Sequence, residues 1–357
     1  MIRTDASRII GSGHVVRCLT LAERLRKLGS TVEFITRNHL NNLDDQIKSK
    51  GFKVRTLSNS TTIQSFQKNI TEPKYWLGVK QEVDAEETIK IVKNKGLEWL
   101  IIDHYAIEHK WEKKLRPYTK KIMVIDDLAN RYHDCDILLD QNMVAKKNTR
   151  YIDKIPGNCL ELLGPKYALL QPIYADYHKK SFYKHGRIKC ILIFFGGVDR
   201  YNLTGRAIAA FLDTNRTDID VDVVMPARSQ YIGLVQKQIS NCYNIRLHSD
   251  IPTLAGLMLK ADLAIGSGGA TSWERLCLKL PALVITSAKN QENVTNKLHE
   301  LRVVRCLGDY NCSKEDIVYA LKNEFDMHKQ SWFKLEDNNF VDGLGVNRAV
   351  DKMRILY

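Results

Sequence analysis

The sequence lacks the segments that insert proteins into membranes. No uninterrupted apolar run in its 357 residues approaches the length of a membrane-spanning helix, and the N-terminus has no apolar signal core. These absences predict no stable membrane insertion and a cytoplasmic location. With 44% hydrophobic and 27% charged residues and no low-complexity tract, we expect a globular protein with sizeable cores.

Paired cysteines and metal-ligand spacings are also lacking. The eight cysteines include no Cys-x-x-Cys pair and several lie in apolar runs, which is typical of reduced core residues. The stretch His133-Asp134-Cys135-Asp136 looks like a metal cluster, but strand alternation would split its side chains between two faces. The Gly-x-Ser-x-Gly elbow of serine hydrolases is absent. We therefore predict no metal, no cofactor and no Ser-His-Asp chemistry.

Basic charge is plentiful but is not gathered into blocks. The chain has 54 Lys and Arg against 41 Asp and Glu, giving a formal net charge of +13 and a pI of about 9.2. This balance suits anionic ligands such as nucleic acid, an acidic membrane surface or a nucleotide. Because no five-residue basic block or aromatic RNA-binding signature occurs, a phosphate-bearing small molecule is favoured over nucleic acid. Nothing in the sequence indicates a protein partner.

Short apolar runs alternate with amphipathic segments along the whole chain, which is typical of α/β folds with parallel sheets. The expected strands are Thr31–Ile35, Trp99–Ile102, Ile122–Ile125, Ile137–Leu139, Cys190–Phe194, Val221–Val224, Leu263–Ile265, Leu283–Ile285 and Val303–Arg305. We predict a Rossmann-like domain over 1–165, a linker over 166–187 and a second Rossmann-like domain over 188–357. Two such doubly wound domains would face each other across a cleft at the carboxyl ends of their strands.

The most informative motif is Ile10–Ala22, in which a glycine turn presents His14 at the start of a helix. Helix starts carry unpaired N–H groups that attract anions and favour a neutral imidazole. This arrangement suits an enzyme that needs a neutral base beside a phosphate. Glycine followed by a polar residue also begins many ordinary helices, so the motif alone leaves a purely structural role open.

Two more glycine segments follow strands in the second half. Phe195–Asp199 leads into a helix, and Gly266–Glu274 places glycines before a helix with Glu274 one turn in. Such junctions can cradle phosphates, and a glutamate there can accept both ribose hydroxyls. Each could instead be a tight turn or a solvated helix residue. Asn290 and Gln291 follow the next strand, where amides can read sugar groups or cap a helix.

Carboxylates also end two strands of the first half. Asp103 and Tyr105 follow one strand, and Asp126 and Asp127 follow the next. Because these positions lie on the expected ligand side of the sheet, either strand end could orient His14 or a water molecule. They could equally cap helices, and the sequence leaves their roles open.

Together these motifs resemble the UDP-sugar hydrolases of pseudaminic acid biosynthesis, relatives of the MurG-like glycosyltransferases with the GT-B fold. The resemblance runs nearly end to end and rests on Ile10–Ala22, Ile125–Arg131, Asp136–Asn142, Leu163–Leu170, Phe195–Asp199, Gly268–Glu274 and Asn290-Gln291. It implies hydrolysis of UDP-2,4-diacetamido-2,4,6-trideoxy-β-L-altropyranose with inversion, which releases UDP and the free sugar without a metal.

The resemblance also implies roles for individual residues. His14 would be the general base that activates water. Glu274 would hold the ribose, a backbone group near Ile251 the uracil, and Asn290 and Gln291 the sugar. The full set of expected substrate-binding residues is Gly11, Gly13, Arg17, Tyr105, Gly196, Gly197, Ile251, Gly268, Gly269, Thr271, Glu274, Asn290 and Gln291.

One departure concerns the first strand. The family usually carries a full strand before its Arg-x-Asp block, whereas this chain begins Met1-Ile2-Arg3-Thr4-Asp5 with almost no strand. A shortened central strand would lose ladder hydrogen bonds, which predicts a loosened loop around His14.

Two other functions compete with hydrolysis. A glycosyltransferase would use the same UDP cradle but admit an acceptor hydroxyl, and such enzymes commonly carry a basic, apolar membrane-docking patch. The candidate patch is Lys110–Leu115, although an ordinary solvated helix face fits it better. A nucleotide-binding regulatory or scaffold protein would need no base, and His14 argues against that reading.

Overall fold

The computed structural model describes residues 1–58, 72–144, 149–184, 186–326, 333–334 and 340–356. The chain divides into two compact units. Unit 1 comprises Met1–Asn142, Lys146–Leu169 and Gly345–Tyr357, and unit 2 comprises Met143–Ala145 and Leu170–Leu344. Within the described ranges, no helix has both the length and the apolar character needed to cross a membrane.

Unit 1 is a parallel sheet covered by helices. Its strands are β1 (Ile2–Thr4), β2 (Glu33–Arg37), β3 (Lys53–Leu57), β4 (Leu97–Asp103), β5 (Thr119–Ile125), β6 (Ile137–Asp140) and β7 (Leu160–Leu163). They pair in the order β3-β2-β1-β4-β5-β6-β7. The helices between them are α1 (Gly13–Lys27), α2 (Asp44–Ser49), α3 (Gln81–Val92) and α4 (His109–Leu115).

Side-chain alternation along β4 supplies both cores of unit 1. Ile101 belongs to the cluster that α1 covers, whereas Leu100 and Ile102 belong to the cluster under α3 and α4. A strand covered on both faces is expected to be continuously apolar, and the sequence Leu-Ile-Ile meets that expectation. The carboxyl end of β4 then delivers Asp103 to the edge of the sheet.

The short first strand is central, not peripheral. β1 has three residues, yet it pairs in parallel with both β2 and β4. Arg3 is fully buried and donates to Asp84 of α3 at 2.7 Å and to Asp5 at 2.7 Å, so a charged network ties the strand to its neighbours. The sequence predicted almost no strand here, whereas the structure shows one whose every residue is paired.

Unit 2 has the same architecture. Its strands are β8 (Cys190–Phe194), β9 (Asp220–Val224), β10 (Ile245–His248), β11 (Leu263–Ser267), β12 (Ala282–Thr286) and β13 (Arg305–Asp309), all parallel in the order β10-β9-β8-β11-β12-β13. Its helices are α5 (Pro172–His178), α6 (Leu203–Leu212), α7 (Ile232–Ile239), α8 (Ala255–Lys260), α9 (Thr271–Cys277), α10 (Lys289–Glu300) and α11 (Lys314–Asp326). The expected α/β class with two parallel sheets is confirmed.

The two ends of the second predicted domain differ from the structure. The last helix, α12 (Gly345–Ile355), belongs to unit 1, although the sequence placed all of 188–357 in one domain. Val346, Val350 and Met353 form an apolar stripe that completes the core under α1. The predicted linker 166–187 contains α5, which packs against α8 and α9 of unit 2. Each of these helices packs where its apolar face is buried, so its position in the sequence does not decide which unit it joins.

The candidate membrane-docking patch on α4 is not apolar at its surface. Trp111 and Leu115 are buried in the core, and the Trp111 indole donates to Asp84 at 2.9 Å. The lysines of α4 therefore form a solvated helix face. This was the alternative to a membrane-docking patch in the sequence analysis.

A buried ion network around His133 is expected to make the free energy of unfolding depend on pH. His133 lies 2.7 Å from Glu112 and 3.8 Å from Asp126, and all three are buried. Burial alone would lower the pKa of His133, but the two carboxylates outweigh it and raise the pKa to about 9. The protonated form therefore stabilises the fold fully below the ordinary pKa of about 6.5, and this contribution disappears as pH rises through 9.

We expect His133→Gln to lower the free energy of unfolding by roughly 3 kcal/mol at pH 6 and by much less at pH 10. Glutamine keeps a donor toward Glu112 but carries no charge. Urea titrations of both proteins at the two pH values measure the difference. A deficit that is the same at both pH values would contradict the assignment.

Candidate functional site

A glycine turn places His14 at the start of α1. Gly11 donates to the Ser7 carbonyl at 2.9 Å and has a φ of +85°, a conformation that favours glycine. Ser12 is the N-cap residue, and its carbonyl accepts from Val16 at 3.0 Å. His14 follows on the first turn with its side chain 8% exposed. The predicted helix start is thus present, and its histidine faces inward.

His14 is paired with Asp103. Its Nδ1 lies 2.6 Å from Asp103 Oδ1, and Asp103 is fully buried. Burial alone would raise the pKa of Asp103, but Arg17 and His14 hold it below its usual range, so the carboxyl group is ionised. A carboxylate can only accept, which assigns the proton to Nδ1. The Nε2 atom of a neutral His14 is then unprotonated, and it has no hydrogen-bond partner among the described residues.

Arg17, one helical turn after His14, fixes the carboxylate in place. It donates to Asp103 Oδ2 and Oδ1 at 2.7 Å each and to Asp127 Oδ2 at 2.6 Å. Burial would lower the pKa of Arg17, but these two carboxylates raise it, so the guanidinium stays charged. The sequence predicts Arg17 as a substrate-binding residue. In the structure three of its N–H groups donate to two aspartates, so Arg17 holds Asp103 in place, and its contact with substrate stays a prediction.

Two aromatic rings lie against the imidazole of His14. The Tyr105 ring lies 4.4 Å from the imidazole at an interplanar angle of 83°, and the Trp76 ring lies 6.1 Å away at 78°. Trp76 and Tyr105 stack on each other at 5.5 Å. The Tyr105 hydroxyl donates to Asp127 at 2.7 Å. Sequence reasoning found Tyr105 and missed Trp76, which lies in a Pro-Lys-Tyr-Trp segment without a distinctive motif.

The adjacent aspartates have different environments. Asp126 is buried and accepts from Ala129 at 2.8 Å and from Arg131 at 2.6 Å, so it holds the loop after β5. Asp127 is partly exposed and joins Arg17 to Tyr105. The two roles that the sequence left open therefore separate: Asp126 shapes a loop, and Asp127 belongs to the His14 cluster.

In unit 2 the glycine segments lie together at the carboxyl edge of the sheet. β8 and β11 are neighbours, and a Cβ on Gly196 would lie 4.0 Å from the Ser267 hydroxyl. A Cβ on Gly268 would collide with the Thr295 hydroxyl, and one on Gly269 would lie 3.6 Å from the Gln291 amide. The N–H groups of Gly196, Gly197, Gly268 and Gly269 have no acceptor among the described residues. Unpaired backbone donors in glycine turns can form an anion-binding site.

Glu274 is the most unusual side chain at this edge. Its Oε2 is buried without a hydrogen-bond partner, and so is the hydroxyl of Thr271. Burial raises the pKa of Glu274 to about 7, against the opposing effects of Tyr174 and Arg275. A buried acceptor without a partner costs stability, which makes Glu274 a candidate for contact with a ligand.

The other predicted contacts lie at the same edge with different exposure. Gln291 accepts from the Ser287 N–H at 2.9 Å, whereas Asn290 is exposed. Ile251 follows β10, the outermost strand, and is partly exposed. In unit 1, Gly11 and Gly13 have open space where a side chain would be. No group of three or more possible metal ligands occurs within the described ranges.

Two relatives share most of this chain. An uncharacterized protein of Methanocaldococcus jannaschii is 31% identical over 294 residues, which are 80% of this chain but only 54% of that protein. The UDP-2,4-diacetamido-2,4,6-trideoxy-β-L-altropyranose hydrolase of Campylobacter jejuni is 29% identical over 300 residues, covering 84% of this chain and 95% of the relative. No protein-family model matches the chain.

Solved structures resemble the whole chain at low sequence identity. Acinetobacter baumannii MurG has a TM-score of 0.61 at 13% identity, with 99% of this chain and 98% of that one covered. The UDP-GlcNAc 2-epimerase of Neisseria meningitidis, solved with UDP-GlcNAc bound, has a TM-score of 0.63 at 12% identity, with 99% and 98% covered. The fold is GT-B. Each GT-B half is a Rossmann-like unit of the kind described above, and the likeness shows this fold alone.

Proposed function

We propose that this chain is a UDP-sugar hydrolase that cleaves the anomeric C–O bond of UDP-2,4-diacetamido-2,4,6-trideoxy-β-L-altropyranose with inversion, in pseudaminic acid biosynthesis. The observation that carries the proposal is the His14–Asp103 pair, which leaves Nε2 free as a base. The named Campylobacter relative, which aligns over 95% of its length, supports the same reaction. The GT-B fold is compatible with it.

The reaction needs one base and one stabilised leaving group. Nε2 of His14 takes a proton from a water molecule, and the water oxygen attacks the anomeric carbon from the side opposite UDP. The C–O bond breaks as the new one forms, so UDP departs with the electron pair and the configuration inverts. The proton on Nδ1 stays with His14, and Asp103 stabilises the imidazolium that forms.

The UDP part is assigned to unit 2. The unpaired N–H groups at Gly196–Gly197 and Gly268–Gly269 would receive the diphosphate, whose charge grows as the bond breaks. Glu274, with Thr271 beside it, would accept the ribose hydroxyls, and a backbone group near Ile251 would face the uracil. Asn290 and Gln291 would contact the sugar. The proposal needs no metal, because backbone donors neutralise the leaving group.

Glu274 gives this assignment a test that does not depend on turnover. Its raised pKa means that the folded protein binds more protons than the unfolded chain between about pH 4.5 and 7, so ionisation at higher pH destabilises the fold. We expect Glu274→Gln to raise the free energy of unfolding by roughly 2–3 kcal/mol at pH 8 and very little at pH 4. The same variant should bind UDP about 10–100-fold more weakly, because a charged acceptor for ribose is lost.

Calorimetric titration with UDP and urea unfolding at the two pH values measure both effects. A variant that is more stable at pH 8 but binds UDP as tightly as the wild type would contradict the ribose role. Glu292 is an exposed residue of α10, so Glu292→Gln is the matched control and should change neither the UDP affinity nor the free energy of unfolding.

The experiment that decides the function is UDP release from the diacetamido UDP-sugar in water, without any acceptor. NMR of the first sugar product should show the inverted anomer. Turnover that begins only after an acceptor alcohol is added would make the protein a glycosyltransferase. UDP binding with no turnover under either condition would make it a nucleotide-binding protein.

A further inference from the structure

The rings around His14 differ in exposure. His14 and Tyr105 are each 6% exposed, whereas Trp76 is only partly buried. Trp76 stacks on Tyr105 and lies nearly perpendicular to the imidazole of His14. Trp76 is therefore the ring of this group with the most surface open to a ligand.

The surface that this pair presents is apolar. The Trp76 Nε1 atom is buried and has no acceptor among the described residues, so the exposed part of the indole is carbon. The Tyr105 hydroxyl is already engaged with Asp127. Neither ring therefore offers a free polar group to a ligand. His14 consequently lies beside an apolar surface formed by Trp76 and Tyr105. This surface can pack against C–H groups, but it cannot replace the hydrogen bonds that a ligand hydroxyl makes with water.

We propose that Trp76, supported by Tyr105, is a specificity-determining residue that packs against the C6 methyl group and C–H face of a 6-deoxyhexose. The inference rests on the proposed function, because attack at the anomeric carbon brings the pyranose ring within one ring's width of His14. A methyl group at C6 gains from burial against the indole. A hydroxyl at C6 loses its water without gaining a partner, which predicts roughly 10–100-fold discrimination.

The test compares two UDP-sugars that differ only at C6: the 2,4-diacetamido-2,4,6-trideoxy compound and its 6-hydroxy counterpart of the same configuration. Binding of each sugar, and of UDP alone, is measured by calorimetry in a His14→Gln background, which prevents turnover. We expect Trp76→Ala to weaken binding of the 6-deoxy compound about 10-fold, to change the 6-hydroxy compound much less and to leave UDP unchanged. Trp76→Phe should keep most of the discrimination, because it keeps an apolar ring.

Tyr132→Ala is the matched control, since Tyr132 is a 59% exposed aromatic residue of unit 1 outside the His14 cluster. It should change no affinity, and melting temperatures confirm that all variants fold. Equal loss of both sugars in Trp76→Ala, or unchanged discrimination, overturns the proposal. Failure of both sugars to bind the His14→Gln protein overturns it as well.

The design separates this proposal from the function itself. If wild-type protein hydrolyses the 6-deoxy compound while Trp76→Ala keeps the wild-type preference, the specificity role of Trp76 is contradicted and the hydrolase function is supported. If wild-type protein hydrolyses neither sugar but Trp76→Ala loses the preference in binding, the specificity role of Trp76 is supported and the hydrolase function is contradicted.

Discussion

Replacing His14 with alanine should lower the turnover of the diacetamido UDP-sugar by about 10²–10⁴-fold, the usual contribution of a positioned general base. UDP affinity should stay within about twofold of the wild-type value, because the residues assigned to UDP belong to unit 2. Steady-state kinetics with UDP detection and calorimetric titration with UDP measure the two quantities.

A control histidine is available on the same unit. His109 begins α4 and contacts Tyr132, away from the Asp103 cluster. His109→Ala should turn over substrate at the wild-type rate. If His14→Ala did the same, His14 would not be the base, whatever its geometry with Asp103.

The sequence was most informative where local chemistry decides structure. The glycine turn before His14, the parallel strands and the glycine junctions of unit 2 follow from turn residues and apolar runs, and the structure contains all of them. The last strand was predicted at Val303–Arg305 but is Arg305–Asp309. Val303 and Val304 are buried just before it, so their apolar character marked the core and not the strand.

Features that depend on distant parts of the chain could not be predicted. α12 joins unit 1 after the whole of unit 2 has intervened, and its apolar stripe does not say which core it completes. Trp76 reaches His14 from 62 residues along the chain. Arg17 was predicted to bind substrate, and nothing local showed that it would also donate to Asp103 and Asp127.

The two units differ in how their buried polar groups are satisfied. In unit 1 the buried Arg17 and Asp103 and the partly exposed Asp127 satisfy one another. In unit 2 the buried Glu274 Oε2 and Thr271 hydroxyl have no partner. Under the proposed function, the first arrangement would hold His14 in place before any ligand arrives, and the second would leave polar groups for UDP to satisfy. The proposed hydrolysis needs both properties, a positioned base and a bound leaving group.

The largest effect outside His14 itself is expected for Asp103→Asn. Arg17 donates to both oxygens of Asp103, so either orientation of the new amide sets its NH₂ group against an Arg17 N–H. With the NH₂ group at the Oδ1 position, it would donate to Nδ1 of His14 and move the imidazole proton to Nε2, which removes the base. We expect kcat to fall about 10²–10³-fold with little change in KM.

A structural role for Asp103 would predict a different pattern, and a double mutant distinguishes the two. Asp127→Asn removes a charge from the same cluster at a residue that has no hydrogen bond to His14. It should lower kcat by less than about tenfold. In a His14→Ala background, Asp103→Asn should cause no further loss, because a residue that acts only through the base has nothing left to position. If the two substitutions instead multiplied their effects on kcat, Asp103 would contribute independently of His14, and the tautomer argument would fail.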